Sequence, residues 1–188
     1  MKKIILASGS PRRRELLGLV TDNFTVAPSR DIDESYPDTL APDQVPVFLS
    51  QLKARGYDDL TADGSIVLTA DTVVIVDEQI LGKPAGRDEA IAMLRMLSGR
   101  AHRVVTGVTL HTADRSASFA TTTTVHFAPL TDSEIEHYVD TYRPFDKAGA
   151  YGIQEWIGAI GITGIEGCFY NVMGLPLHDL YRHLKEFK

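Results

Sequence analysis

One carboxylate interrupts the most apolar stretch of this chain. From Ile66 to Val76 the residues read Ile-Val-Leu-Thr-Ala-Asp-Thr-Val-Val-Ile-Val, a β-branched run that predicts a buried strand with Asp71 near its middle. An ionised carboxylate buried without a partner is costly, so Asp71 must be paired, metal-bound or placed where the strand surfaces at a cleft. An edge strand with a solvated face is the plain alternative. Asp77-Glu78-Gln79 then turns the chain back toward Ile80-Leu81.

The rest of the chain interleaves strands and helices around this one. Lys3-Ile4-Ile5-Leu6-Ala7 is a short apolar strand, and Ser10-Pro11 opens a helix through about Val20, because serine caps and proline suits a first helical position. Thr25 to Thr39 reads as a strand end followed by a long loop. A helix from about Pro46 to Arg55 has Val47, Phe48 and Leu52 on one face. Asp88 to Leu97 is a helix stopped by Gly99, and Val104 to Thr112 and Ser116 to Ala128 are strands. Thr131-Asp132-Ser133-Glu134 is a capping box that starts a helix to about Tyr142, and Pro176 opens a last helix ending near Phe187. This alternation predicts an α/β fold with a mixed sheet flanked by helices. No repeat, low-complexity tract or linker suggests a domain boundary, so one domain over 1–188 is expected.

Composition narrows the partners. A formal net charge of -6 argues against broad binding to nucleic acid, and no apolar run is long enough for a membrane span. One cysteine makes no intramolecular disulfide, no signal peptide is visible, and a reducing cytoplasm suits such a chain.

Local clusters can still oppose the global sign. Ser8-Gly9-Ser10-Pro11 leads a strand into a helix whose first turn carries Arg12, Arg13 and Arg14, which suits an anion at a helix N-terminus. An ordinary capped helix with solvated arginines explains the same residues. Glu34 lies in the acidic stretch Asp31-Ile32-Asp33-Glu34; folded toward Asp71, it would complete an oxygen pair for Mg²⁺ or Mn²⁺. Lys53 and Lys83 read as surface lysines or as cations facing an anion, with Lys83 in the constrained turn Gly82-Lys83-Pro84. Asp146 to Gln154 is rich in small residues that permit close backbone approach, and Gln154 can donate and accept toward a base edge; a tight packing turn is the other reading. The six histidines show no metal-ligand spacing.

Taken together and in order, these segments resemble the Maf family of nucleotide pyrophosphatases. The matching pieces are Ser8-Gly9-Ser10-Pro11-Arg12-Arg13, Asp33-Glu34, Lys53-Ala54, Ala70-Asp71-Thr72-Val73-Val74, Gly82-Lys83-Pro84, Ser98 to His102, Thr106-Gly107-Val108, Asp146 to Gln154 and Asn171 to Pro176. The resemblance implies hydrolysis of a nucleoside triphosphate to the monophosphate and pyrophosphate with a divalent metal, Mg²⁺ or Mn²⁺. It implies a mixed twisted sheet flanked by helices, like that of the inosine-triphosphate pyrophosphatases. On that basis Asp71 accepts a proton from water, Glu34 and Asp71 hold metal, Ser8, Arg12 and Arg13 bind phosphates, and Lys53 and Lys83 offset developing charge.

Arg12, Thr72 and Gln154 match the subgroup resembling dTTP/UTP enzymes, so the implied substrate is a pyrimidine triphosphate. House-cleaning of non-canonical nucleotides, arrest of cell division and a homodimer are further associations of the family. A non-catalytic nucleotide-binding regulator of division, or an enzyme for a modified-base triphosphate, is the alternative. One departure stands out: Gly167-Cys168-Phe169 occupies the place where Gly-Ser-Tyr is more usual.

Overall fold

The computed structural model describes residues 2–187. In chain order the strands and helices are β1 (Ile4–Leu6), α1 (Pro11–Gly18), β2 (Phe24–Val26), α2 (Val45–Arg55), β3 (Ile66–Val76), β4 (Gln79–Leu81), α3 (Arg87–Leu97), β5 (Ala101–His111), β6 (Ser116–Phe127), α4 (Asp132–Tyr142), α5 (Trp156–Gly161), β7 (Ile162–Glu166), α6 (Phe169–Val172) and α7 (Leu177–Glu186). Short 3-10 turns cover Asp58–Thr61 and Ala148–Ala150. The strands pair in the order β2-β1-β3-β5-β6-β7, with β4 on β3. The α/β class with a mixed sheet is therefore as expected.

Local chemistry explains several element ends. Ser10 caps α1, its side chain accepting from the Arg13 N–H, with Pro11 in the first turn. Thr131 and Glu134 close the capping box of α4 in both directions. The β3–β4 hairpin turns on Asp77 and Glu78, both at positive φ (47° and 60°), while Gln79 already pairs with Val76.

By compactness the described chain divides into two units. The first comprises the chain up to Thr72, then Thr106–Thr121, then the part from Gly174 onward; the second comprises Val73–Val105 and Thr122–Met173. The junctions fall inside β3, β5 and β6 and just before Gly174, which is why no linker composition marks them.

In the first unit β1 is parallel to both β2 and β3, with Ile4 opposite Phe24 and Ile66. Parallel neighbours need a crossover, and α1 supplies the one from β1 to β2. Ile5, Ala7, Tyr57 and Val67 form a buried cluster covered by Ala27, Ile32 and Leu60.

The buried face of α2 differs from the expected one. Val45, Pro46, Leu49, Ser50 and Ala54 are buried, whereas Val47, Phe48 and Leu52 are only half-buried. The cause is the seat of the helix. A Cβ at Gly107 would lie 2.3 Å from the backbone of Pro46 and Val47, so the first turn of α2 rests on bare β5 backbone.

In the second unit β4 and β7 pair antiparallel with β3 and β6, and α3 packs on α4. Its core includes Val74, Leu94, Leu97, Val125, Ile135, Tyr138 and Ile157, each adding ~1.5–3 kcal/mol by leaving water. β5 starts three residues earlier than the apolar pattern predicts, at Ala101 instead of Val104, because His102 points into this core and is buried among Phe127 and Tyr151. The elements α5, β7 and α6 were not foreseen. Within α5, Gly158 is required by contact: its Cβ would stand 1.8 Å from the Ile153 carbonyl.

Candidate active site

The first unit brings Ser8, Arg12, Arg13, Glu34, Lys53, Asp71 and Thr72 together on its elements; Lys83 and Gln154 belong to the second. In β3 every residue is buried except Asp71 and Thr72, which are half-buried. The strand surfaces there. Asp71 is paired: Lys53 Nζ donates to its Oδ1 at 2.6 Å and meets Glu34 Oε2 at 2.8 Å. One ammonium thus joins two carboxylates that are far apart in the sequence. Its side chain and that of Asp71 are 16% and 15% exposed, so little water screens this contact, while Glu34 is half exposed.

Helix α2 places Lys53, and hydroxyls fix the helix. Ser50, one turn before Lys53 and fully buried, bonds Thr109 Oγ1 at 2.8 Å, and its carbonyl accepts from Thr69 Oγ1 at 2.6 Å. With the Gly107 contact, these bonds set both the height and the rotation of α2 against β3 and β5. Glu34 arrives on the long loop after β2. Ile32 packs in the cluster around Tyr57, and Arg30 donates to Gly56 O at 2.6 Å and bidentately to Asp59 at 2.6 and 2.8 Å. The loop is tied to the end of α2.

Most of the Arg13 guanidinium bonds the protein itself. Nε donates to Gly174 O at 2.9 Å, Nη1 to Ala70 O at 2.7 Å and to Ser8 Oγ at 3.4 Å, and Nη2 to Thr72 Oγ1 at 3.0 Å. Four bonds leave one of the five guanidinium N–H groups for another acceptor. Burial pushes its pKa down from the usual range and the Asp71 charge opposes that, but a guanidinium stays charged. Thr72 also shares a hydrogen bond with Thr106 Oγ1 at 2.9 Å. Arg12 sits half-buried in the same first turn.

In the second unit Lys83 and Gln154 are both exposed. Their segments meet: Gly149 N–H donates to Gly82 O at 3.0 Å, and Gly149, at φ 69°, leaves no room for a Cβ against Val74. The backbone of Cys168 bonds Thr123, its N–H donating to Thr123 Oγ1 at 3.0 Å and its carbonyl accepting from the same hydroxyl at 3.2 Å.

The donor set fits a hard divalent cation. Glu34 and Asp71 converge on one positive charge, and Mg²⁺ is commonly held by one or two carboxylates completed by waters and substrate phosphates. No group of three or more His, Cys, Asp or Glu able to hold a metal occurs among the described residues.

Several positioning residues carried no assigned role in the sequence reading: Ser50, Gly107, Gly174 and Arg30. Gly107 and Gly174 lie in segments already picked out by the resemblance. Gly174 at φ 110° supplies the carbonyl that Arg13 grips. Ser50 and Arg30 left no local signal.

The backbone places the chain in a structural class before any family is considered. It superposes on the Ham1 protein of Staphylococcus aureus with a TM-score of 0.55 at 17% identity, covering 100% of both chains. It does so on a HAM1 protein from Coxiella burnetii at 0.53 and 17%, covering 99% and 100%. The fold is that of the Ham1-like α/β proteins.

Within that class the chain belongs to the Maf-like protein family, whose model matches residues 3–187. Among curated relatives, the dTTP/UTP pyrophosphatase of Porphyromonas gingivalis is 52% identical, covering 98% of this chain and 94% of that one. That of Parabacteroides distasonis is 50% identical, covering 98% and 96%.

Proposed function

We propose that this chain is a nucleoside triphosphate pyrophosphatase that hydrolyses dTTP and UTP to the monophosphate and pyrophosphate, acting as one domain over 1–188. The observation that carries the reading is the Lys53 ammonium held between Asp71 and Glu34 where β3 surfaces, beside the Arg13 clamp on Ser8 and Thr72. The names of the curated relatives support the substrate pair.

In the proposed reaction a water oxygen bonds to the α-phosphorus as the bond from that phosphorus to the bridging oxygen breaks. The water proton goes to the Asp71 carboxylate, and pyrophosphate leaves with the bridging oxygen. Carboxylates are weak bases at neutral pH, so orientation contributes more than basicity. Lys53 and Lys83 offset charge developing on the phosphoryl oxygens and the polyphosphate. Ser8 and Arg12 bind phosphate oxygens. Arg13 holds Ser8, Thr72 and the Gly174 carbonyl in register and keeps one N–H for a phosphate. Gln154 reads a base edge. Glu34 and Asp71 hold the divalent cation, Mg²⁺ or Mn²⁺, which when bound supplies charge neutralisation at the phosphoryl oxygens.

Purified protein incubated with a panel of triphosphates, with Mg²⁺ or Mn²⁺ and with chelator, tests this directly. Pyrophosphate release led by dTTP and UTP and abolished by chelator is the expected result; no release from any nucleotide overturns it. A higher kcat/KM for a modified-base triphosphate would reassign the substrate within the same chemistry. No helix among the described residues is long and apolar enough to cross a membrane. A cytoplasmic homodimer completes the proposal, and light scattering checks the oligomer.

A further inference from the structure

In the second unit a charge network around the buried Lys147 and Tyr138 side chains has no part in the chemistry above. Lys147 Nζ, with its side chain 10% exposed, lies 2.8 Å from Asp146 Oδ1 and 3.1 Å from Glu155 Oε1. The other oxygen of Glu155 accepts from the Tyr138 hydroxyl, which in turn accepts from the Gly152 N–H at 3.0 Å. Tyr138 is fully buried in α4. Every group has a use: Tyr138 donates once and accepts once, and Glu155 engages both oxygens.

Three residues of one short segment, Lys147, Gly152 and Glu155, are therefore drawn onto a single phenol and its carboxylate partner. Backbone bonds tighten the same loop, Ala150 N–H to Lys147 O at 3.1 Å and Glu155 N–H to Gly152 O at 3.0 Å. A Cβ at Gly152 would come 2.9 Å from the Glu155 carboxyl carbon and 3.1 Å from Lys147 Cε, so the network closes directly over that glycine. At the far side of the segment Tyr151 bonds the His102 ring at 2.7 Å.

A buried ion pair of this kind is a poor source of stability, because desolvation offsets most of its attraction. It is a good source of a single geometry. What that geometry presents is Gln154, exposed between the buried Ile153 and the clamped Glu155, and the turn of Lys83, bonded through Gly82. Burial, seconded by Glu155, pushes the phenol's pKa up, so the donor stays protonated at any working pH.

We propose that Tyr138, Glu155 and Lys147 are positioning residues for base selection: they hold segment 147–155 so that Gln154 meets the nucleobase in one orientation. This rests on the reading of Gln154 as a base contact. Its loss acts on recognition more than on the chemical step.

The test uses Tyr138→Phe in the full chain, with Glu155→Gln as a second variant in case the first does not fold. In the Tyr138→Phe protein the KM for dTTP rises about tenfold, the size expected when a buried N–H loses its acceptor. Its kcat stays within about twofold, and its preference for dTTP over a purine triphosphate falls by a similar factor. Adding Gln154→Ala to Tyr138→Phe changes little further, since both remove the same contact. Independently of turnover, hydrogen exchange at Gly152 and Gln154 quickens about tenfold relative to amides of α3.

A fall in kcat with KM unchanged, or effects that add fully to Gln154→Ala, overturns the proposal. So does unaltered exchange at Gly152. If the unsubstituted protein hydrolyses no triphosphate, the functional reading fails, while the exchange measurement still decides whether the clamp exists.

Discussion

Lowering the pH should weaken this protein through one histidine, by an amount the structure allows to be worked out. His102 is 3% exposed, bonds Tyr151 through Nε2, and leaves Nδ1 without a hydrogen-bond partner among the described residues. Burial, with a smaller push from His126, lowers its pKa from 6.5 to about 4.

The unfolded chain therefore binds this proton more readily between pH 6.5 and 4. The contribution is fully present above the unfolded pKa and is lost as the pH falls toward the folded one. The shift corresponds to about 3 kcal/mol in the acid limit, and to about 2 kcal/mol between pH 7 and pH 5. In a chain of this size that is about 4–8 °C in melting temperature.

Other groups also titrate, so the quantity to read is a difference. His102→Gln keeps a polar atom for the Tyr151 hydroxyl and has no charge to gain. Its Tm lies below that of the unsubstituted protein at pH 7, and calorimetry should show the gap narrowing by about 4–8 °C at pH 5. A gap of equal size at both pH values would refute the reasoning.

Three further outcomes follow from the site. Asp71→Asn should cut kcat by roughly 10²–10⁴-fold, the usual scale for a general base, while nucleotide binding measured by calorimetry persists. Arg13→Lys should cost about 3 kcal/mol in denaturant unfolding and lower activity, because an ammonium cannot span Gly174, Ala70, Ser8 and Thr72 together; unchanged stability would show the clamp to be idle. Gly107→Ala should push α2 off β5, costing about 1–3 kcal/mol and lowering kcat more steeply than stability alone explains, since Lys53 moves with the helix; a kcat within twofold of the original would contradict this.

Residues within four positions of one another were enough to determine much of the fold. The Ser10 cap with Pro11, the Thr131-Glu134 box, the Asp77-Glu78 turn and the β-branched run of β3 each depend on bonds or sterics inside one short segment. The same holds for Asp71 as an anomaly: a carboxylate inside an apolar strand demands a partner whatever surrounds it.

Its partner was a different matter. Lys53 reaches Asp71 only because Gly107 lets α2 sit on bare backbone and Ser50 bonds Thr109, and Glu34 joins them only because Arg30 and Ile32 tie its loop to Gly56, Asp59 and Tyr57. Each of these contacts joins residues distant in the chain, so no periodicity announces them. Tertiary packing likewise turned Arg13 inward, chose the buried face of α2, and drew His102 into the core two residues before the apolar pattern of β5 begins. Local sequence determined which side chains were available and in which elements; only the packed structure decided which of them share a charge.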